Sequence, residues 1–135
     1  MKYFCALVFS LLTSSAMAGT SAGYGMGGQF SRFDPVVAEH NRTGELFRIE
    51  GHCQSACTVF LGIKNVCVQP SARLLFHAGH DRQRNISTKW TNHMLAAYKP
   101  ALRQYLVSNH YMDTLAFHTI SGRELIDKFG YKACP

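Results

Sequence analysis

Ile49-Glu50-Gly51-His52-Cys53-Gln54-Ser55-Ala56-Cys57-Thr58-Val59-Phe60-Leu61-Gly62, with Asn65-Val66-Cys67-Val68-Gln69-Pro70-Ser71-Ala72-Arg73-Leu74-Leu75-Phe76-His77-Ala78-Gly79-His80 close behind it, is the stretch whose reading decides the fold. Phe47-Arg48-Ile49-Glu50 alternates apolar and polar residues, as the end of a half-buried strand does. Gly51 to Gln54 reads as a tight connection. Ser55 stands directly before the apolar run Ala56–Leu61, which Gly62 can stop, so it is the natural N-cap of a helix over 56–62. The N–H groups behind such a cap have no partner inside the helix and can bind an anion. A strand or strand pair follows, Val66–Val68 and Ala72–Phe76 with Pro70 between them, and His77 closes it.

A serine hydroxyl is a weak nucleophile. It needs an imidazole within hydrogen-bond reach and donors aimed at the oxyanion that develops when it attacks. A serine on a strand-to-helix turn, with a histidine at the end of the following strand, has the residue types for that chemistry. The plainer account makes Ser55 a helix cap and His77 a strand-end histidine packed beside the cysteines.

Gly51-x-Cys53-x-Ser55-Ala56-Cys57-Thr58, with the later Phe76-His77 and an earlier Gly27-Gly28 before a helical segment, resembles the Clp-peptidase and crotonase-type fold. The likeness is nearer to the small periplasmic Clp-peptidase-like proteins of bacteria and runs from about Gly27 to the end. It implies an α/β domain, a truncated Clp-peptidase/crotonase-like fold over 27–135 with a small mixed sheet flanked by helices. It also implies Ser55 as nucleophile, His77 as base, and the N–H groups of Gly28 and Ala56 as oxyanion donors. The family's acidic third member falls where this chain has Ala116-Phe117-His118-Thr119, which contains no carboxylate. Asp113 is the nearest upstream acid and His118 a less conventional orienter. Two functions therefore stand at this point. One is an exported serine hydrolase acting on a peptide or other acyl substrate; the other is an inactive, disulfide-stabilised binding or structural domain of the same fold.

The first 18 residues read as a secretory signal: Lys2, an apolar core from Tyr3 to Leu12, and Ala16-Met17-Ala18 as the cleavage site. The apolar run is short for a bilayer, and no later segment reads as a membrane span. The product would be periplasmic or secreted. About 117 of the 135 residues remain, enough for one core. Cys5 leaves with the signal, and Cys53, Cys57, Cys67 and Cys134 form an even set suited to two disulfides. Three pairings are open. Cys57 on the helix with Cys67 on the next strand is the first choice, leaving Cys53 with Cys134. Zinc is the rival, without a Cys-x-x-Cys or matched histidine pair to support it, and no cofactor is implied.

The formal charge of +6 is spread along the chain, with only Arg82-x-Arg84 resembling a patch, so nucleic-acid binding is not indicated. Gly19–Met26 reads as a flexible leader. Helices are expected over 30–42, with Ser31, Asp34 and Pro35 in its first turn, over 88–110 with a kink or division at Pro100, and over 121–130. In the last, Ser121 and Glu124 make a capping box and Gly130 the stop. An open sheet edge in so short a domain would favour homo-oligomers.

Overall fold

The computed structural model describes residues 19–135, so the signal-sequence reading lies outside the described residues. A mixed α/β arrangement is built from two three-stranded sheets rather than the single small sheet expected. In the first, β1 (Gly19–Thr20), β2 (Phe47–Ile49) and β4 (Val66–Val68) run parallel in the order β1-β2-β4. In the second, β3 (His52–Gln54) lies parallel to β5 (Arg73–Phe76), and β5 pairs antiparallel with β6 (His118–Ser121). Gly51 makes the change of sheet possible: at φ 64° it turns the chain sharply between β2 and β3. The connection expected over Gly51–Gln54 is thus a one-residue turn followed by a strand.

The segment Ser55–Gly62 forms a 3₁₀ helix. All six residues from Ala56 to Leu61 are buried, which is what a run apolar on every side requires. Phe60 is its centre, with its ring 4.6 Å from that of Phe47, 5.4 Å from Phe33 and 5.2 Å from Tyr24. Side chains of this size each contribute a few kcal/mol when withdrawn from water.

The Gly19–Met26 leader is part of the fold, not a loose tail. Gly19 and Thr20 pair with β2, Ser21 is buried with its hydroxyl on the Glu50 carbonyl, and Tyr24 packs on Phe33 and Phe60. Tyrosine and paired backbone outweigh the glycine content.

Helix α1 (Phe30–Thr43) closes on Gly44 in the left-handed region. Its start is one turn earlier than the Ser31/Asp34 signal: Gln29 holds the cap position, Pro35 lies inside the helix, and Asp34 meets His93 at 3.0 Å. Pro100 divides the long C-terminal helix into α2 (Thr88–Ala96) and α3 (Pro100–Ser108), taking the first-turn position where its missing N–H costs nothing. The carbonyls freed at the break accept from Arg103, at 3.0 Å for both Leu95 and Tyr98. Helix α4 (Gly122–Phe129) begins and ends as its capping box and glycine imply: Ser121 Oγ accepts from the Glu124 N–H at 3.1 Å, and Gly130 is left-handed.

All four described cysteines are bonded, as expected, but in another pairing: Cys53–Cys57 and Cys67–Cys134. The expectation of Cys57–Cys67 and Cys53–Cys134 assumed a helix carrying Cys57 away from β3. The chain instead reverses at Ser55, and the tight winding leaves the Cα atoms of Cys53 and Cys57 5.2 Å apart. Cys67 is then free for Cys134, whose segment lies along the outer edge of β4, Val68 donating to Lys132 O and accepting from Cys134 N. That edge is covered rather than open. No helix among the described residues is long and apolar enough to cross a membrane.

Candidate functional site

Strands β3 and β5 are parallel neighbours, with Gln54 in register with Leu75. Adjacent strands lie about 4.8 Å apart, so residues just past their C-terminal ends emerge side by side. Ser55 follows β3 directly and His77 follows β5. Both line one cleft of about 1050 Å³ at that end of the sheet, together with Gly28, Gln54, His80, Trp90 and Phe117. A smaller hollow elsewhere, of about 420 Å³, is lined by Lys64, Lys99 and Lys132 and has no serine, threonine, cysteine or histidine in its wall.

Ser55 does not cap the helix as expected. It is the first residue of the helix, at φ 56°, a left-handed conformation costing a residue with a side chain on the order of 1–3 kcal/mol. Three features hold it there. The Cys53–Cys57 disulfide closes a short loop around it. Its carbonyl accepts from Thr58 Oγ1 at 2.7 Å. The Thr58 hydroxyl, having spent its proton on Ser55, accepts in turn from the Tyr98 hydroxyl at 2.5 Å. Burial pushes the Tyr98 phenol well above its ordinary value, so it remains a donor at every ordinary pH. Ser55 thus stands at a strained strand-to-helix turn at the head of the sheet and lines the cleft.

Ala56 is the second residue of the 3₁₀ helix, so its N–H has no carbonyl within the helix to meet. Gly27 and Gly28 come up beside it. Gly25 O accepts from the Gln54 N–H at 2.9 Å and Met26 O from Gln54 Nε2 at 3.1 Å, which docks the glycine segment on the residue preceding Ser55. A side chain at Gly27 would bring its Cβ to 2.9 Å from Ser55 Cβ, and Gly27 is at φ 73°. Glycine is required there by both proximity and backbone. The Gly27 N–H is taken up by Tyr24 O, while Gly28, at φ 141°, lines the cleft. Gly28 therefore lines the cleft, while Ala56 is buried directly behind Ser55.

His77 is 5% exposed. Its ring lies between that of His80, nearly parallel at 5.9 Å, and that of Phe117, edge-on at 5.1 Å. Nδ1 lies 2.5 Å from the carbonyl oxygen of Ala78, so it carries the proton and donates there, leaving Nε2 with a free lone pair. The Ala78 peptide is fixed by its own N–H, which donates to Thr114 O at 2.8 Å. Burial lowers the His77 pKa, the Ala78 carbonyl opposes it, and the nearby Arg84 guanidinium adds to the lowering. The ring is neutral at physiological pH and is the correct tautomer for a base.

Asp113 does not orient His77. It bonds His110 at 2.8 Å on the exposed surface. His118 is stacked on Tyr111, 4.1 Å between ring centroids, and is not an orienter either. Just upstream of the segment expected to supply an acid, Thr114 supplies its carbonyl instead, which holds Ala78. Backbone groups carry no side-chain signature, and for this reason the orienter could not be read from residue types. Among the described residues no group of three or more His, Cys, Asp or Glu could hold a metal ion.

One wall of the cleft is aromatic. Phe30 stacks on Trp90 with ring centroids 5.1 Å apart, and Leu115, Phe117 and the exposed Met26 extend the apolar surface. The rim residues Arg82 and Arg84 add positive charge. Compared with protein-family models, curated proteins and solved structures, the chain matches none.

Proposed function

We propose that this chain is an exported serine acyl hydrolase built on a truncated Clp-peptidase/crotonase-like scaffold. The observation that carries the reading is Ser55 held at a positive φ in the same cleft as an imidazole whose Nε2 is unprotonated. Ser55 Oγ attacks the substrate carbonyl carbon, and its proton passes to His77 Nε2. The oxyanion is met by the N–H groups of Ala56 and Gly28. Collapse of the tetrahedral intermediate expels the amine or alcohol, which leaves with the proton from Nε2. Water, deprotonated by the same nitrogen, then hydrolyses the acyl-serine.

The Ala78 carbonyl performs one of the two tasks of a triad carboxylate. It fixes the tautomer and ring orientation, but carries no full charge to stabilise the imidazolium. Turnover is expected to be slower than with a complete triad. Two disulfides and the predicted leader support a periplasmic or extracellular location. The lack of a carboxylate on His77 favours the second reading, an inactive binding domain of the same fold.

A fluorophosphonate probe applied to the oxidised protein separates the two. Wild type should be labelled and Ser55→Ala not at all, while His77→Ala should be labelled about 10²–10⁴-fold more slowly. A folded wild type that resists the probe, or a Ser55→Ala variant labelled equally well, would leave the binding domain as the reading.

A further inference from the structure

A hairpin tip forms part of the cleft wall beyond Ser55 and His77. His80 bridges Ile86, the Asp81 N–H donates to Asn85 O at 2.9 Å, and the Arg84 N–H donates to Asp81 O at 3.1 Å. The Asp81 carboxylate accepts from the Asn85 N–H at 2.9 Å and from Asn85 Nδ2 at 3.2 Å. It is the only carboxylate among the residues lining the cleft, and those two bonds commit it to the turn. Arg82 and Arg84 stand at the tip, exposed, both lining the cleft. Neither guanidinium has a hydrogen bond or ion pair with another described residue, whereas Arg42 pairs with Glu39 and Lys128 with Glu124. Arg84 is further held at φ 64°. Two unpaired cations therefore stand on an ordered turn at the rim of a cleft whose other surface is aromatic and aliphatic.

We propose that Arg82 and Arg84 bind a carboxylate carried by the acyl substrate itself, so that the preferred substrates are acyl groups ending in a second acid. A half-ester or half-amide of a dicarboxylic acid fits this description, as does a peptide with an acidic side chain next to the bond cut. The guanidinium fork matches a carboxylate bidentately, and the Phe30–Trp90 wall suits the methylenes between the two acyl ends. This assignment rests on the hydrolase reading and adds the substrate class to it.

The test compares hydrolysis of the 4-nitrophenyl half-ester of glutaric acid with that of the neutral valerate ester, alike in size. The half-ester should show a kcat/KM about tenfold or more higher, as a charge-assisted hydrogen bond supplies. That ratio should fall toward one in about 0.5 M salt and in the double variant Arg82→Ala/Arg84→Gly, where glycine accepts the left-handed backbone. A ratio of one or less in the wild type at low salt overturns the carboxylate site and leaves the hydrolase standing. If neither ester is cleaved and the probe leaves Ser55 unlabelled, the hydrolase reading falls. The anion site is then read by titrating Ser55→Ala with glutarate and following fluorescence of Trp90, the one tryptophan. A saturable change lost in the added arginine substitutions supports the site, and no change overturns it. Inorganic phosphate serves as the competitor: binding of phosphate without glutarate would overturn the carboxylate assignment.

Discussion

The two disulfides enclose very different lengths of chain, a separation of four residues for Cys53–Cys57 and 67 for Cys67–Cys134. Loop-closure entropy makes the long one the stronger staple, about 4 kcal/mol against about 2 kcal/mol. The short bridge lies around Ser55 and its left-handed backbone; the long one ties the last residues to the edge of β4, away from the cleft. The contrast separates a bond that holds the molecule together from one that holds a single residue in place. It also divides two roles: the long bridge fastens the chain end to the first sheet, while the short one constrains the turn from the second sheet into the 3₁₀ helix.

The largest expected effect removes the long staple. Cys67→Ala/Cys134→Ala should lose about 4 kcal/mol in urea unfolding while the folded fraction keeps its rate of labelling by the probe. Cys53→Ala/Cys57→Ala should lose about half as much stability, yet label at least about tenfold more slowly as Ser55 relaxes. If the two variants exchange these behaviours, the division is wrong.

Ser55→Gly sharpens the comparison from the other side. Glycine adopts φ 56° freely, so this variant should gain about 1 kcal/mol in the urea midpoint while losing all labelling. A destabilised Ser55→Gly would mean that the backbone there stores no strain.

The smallest effect concerns pH. Because burial lowers the His77 pKa, Nε2 stays a base below the ordinary histidine value, and the acid limb of the labelling rate should fall below pH 6.5. Stability should decline in the same window. Above about pH 6.5 the ring is neutral in both states and adds no slope; below it the unfolded chain takes up the proton first, down to the folded pKa. A limb above pH 6.5 would place His77 in a different environment.

Much of this was legible in the order of residues. The end of α1 at Gly44, the division at Pro100, and the Ser121/Glu124/Gly130 signals at α4 follow from capping and proline chemistry, which act within a few residues. Strand β3 was not legible, because Gly51 leaves only three residues to pair and their partners lie 21 positions on. Nor was β6, whose four residues pair only with the distant β5.

Composition and local spacing by themselves determined that Ser55 stands at the junction of a strand and a helical run, that His77 ends a strand, and that four cysteines are available for two bridges. Tertiary structure alone decided which cysteines meet, that Ser55 takes a left-handed backbone, and that a carbonyl rather than a carboxylate steadies the imidazole. The reason is physical: caps, turns and periodicity are interactions between near neighbours in the chain. Disulfide partners, ring environments and backbone donors depend on which distant segments the packed core brings together.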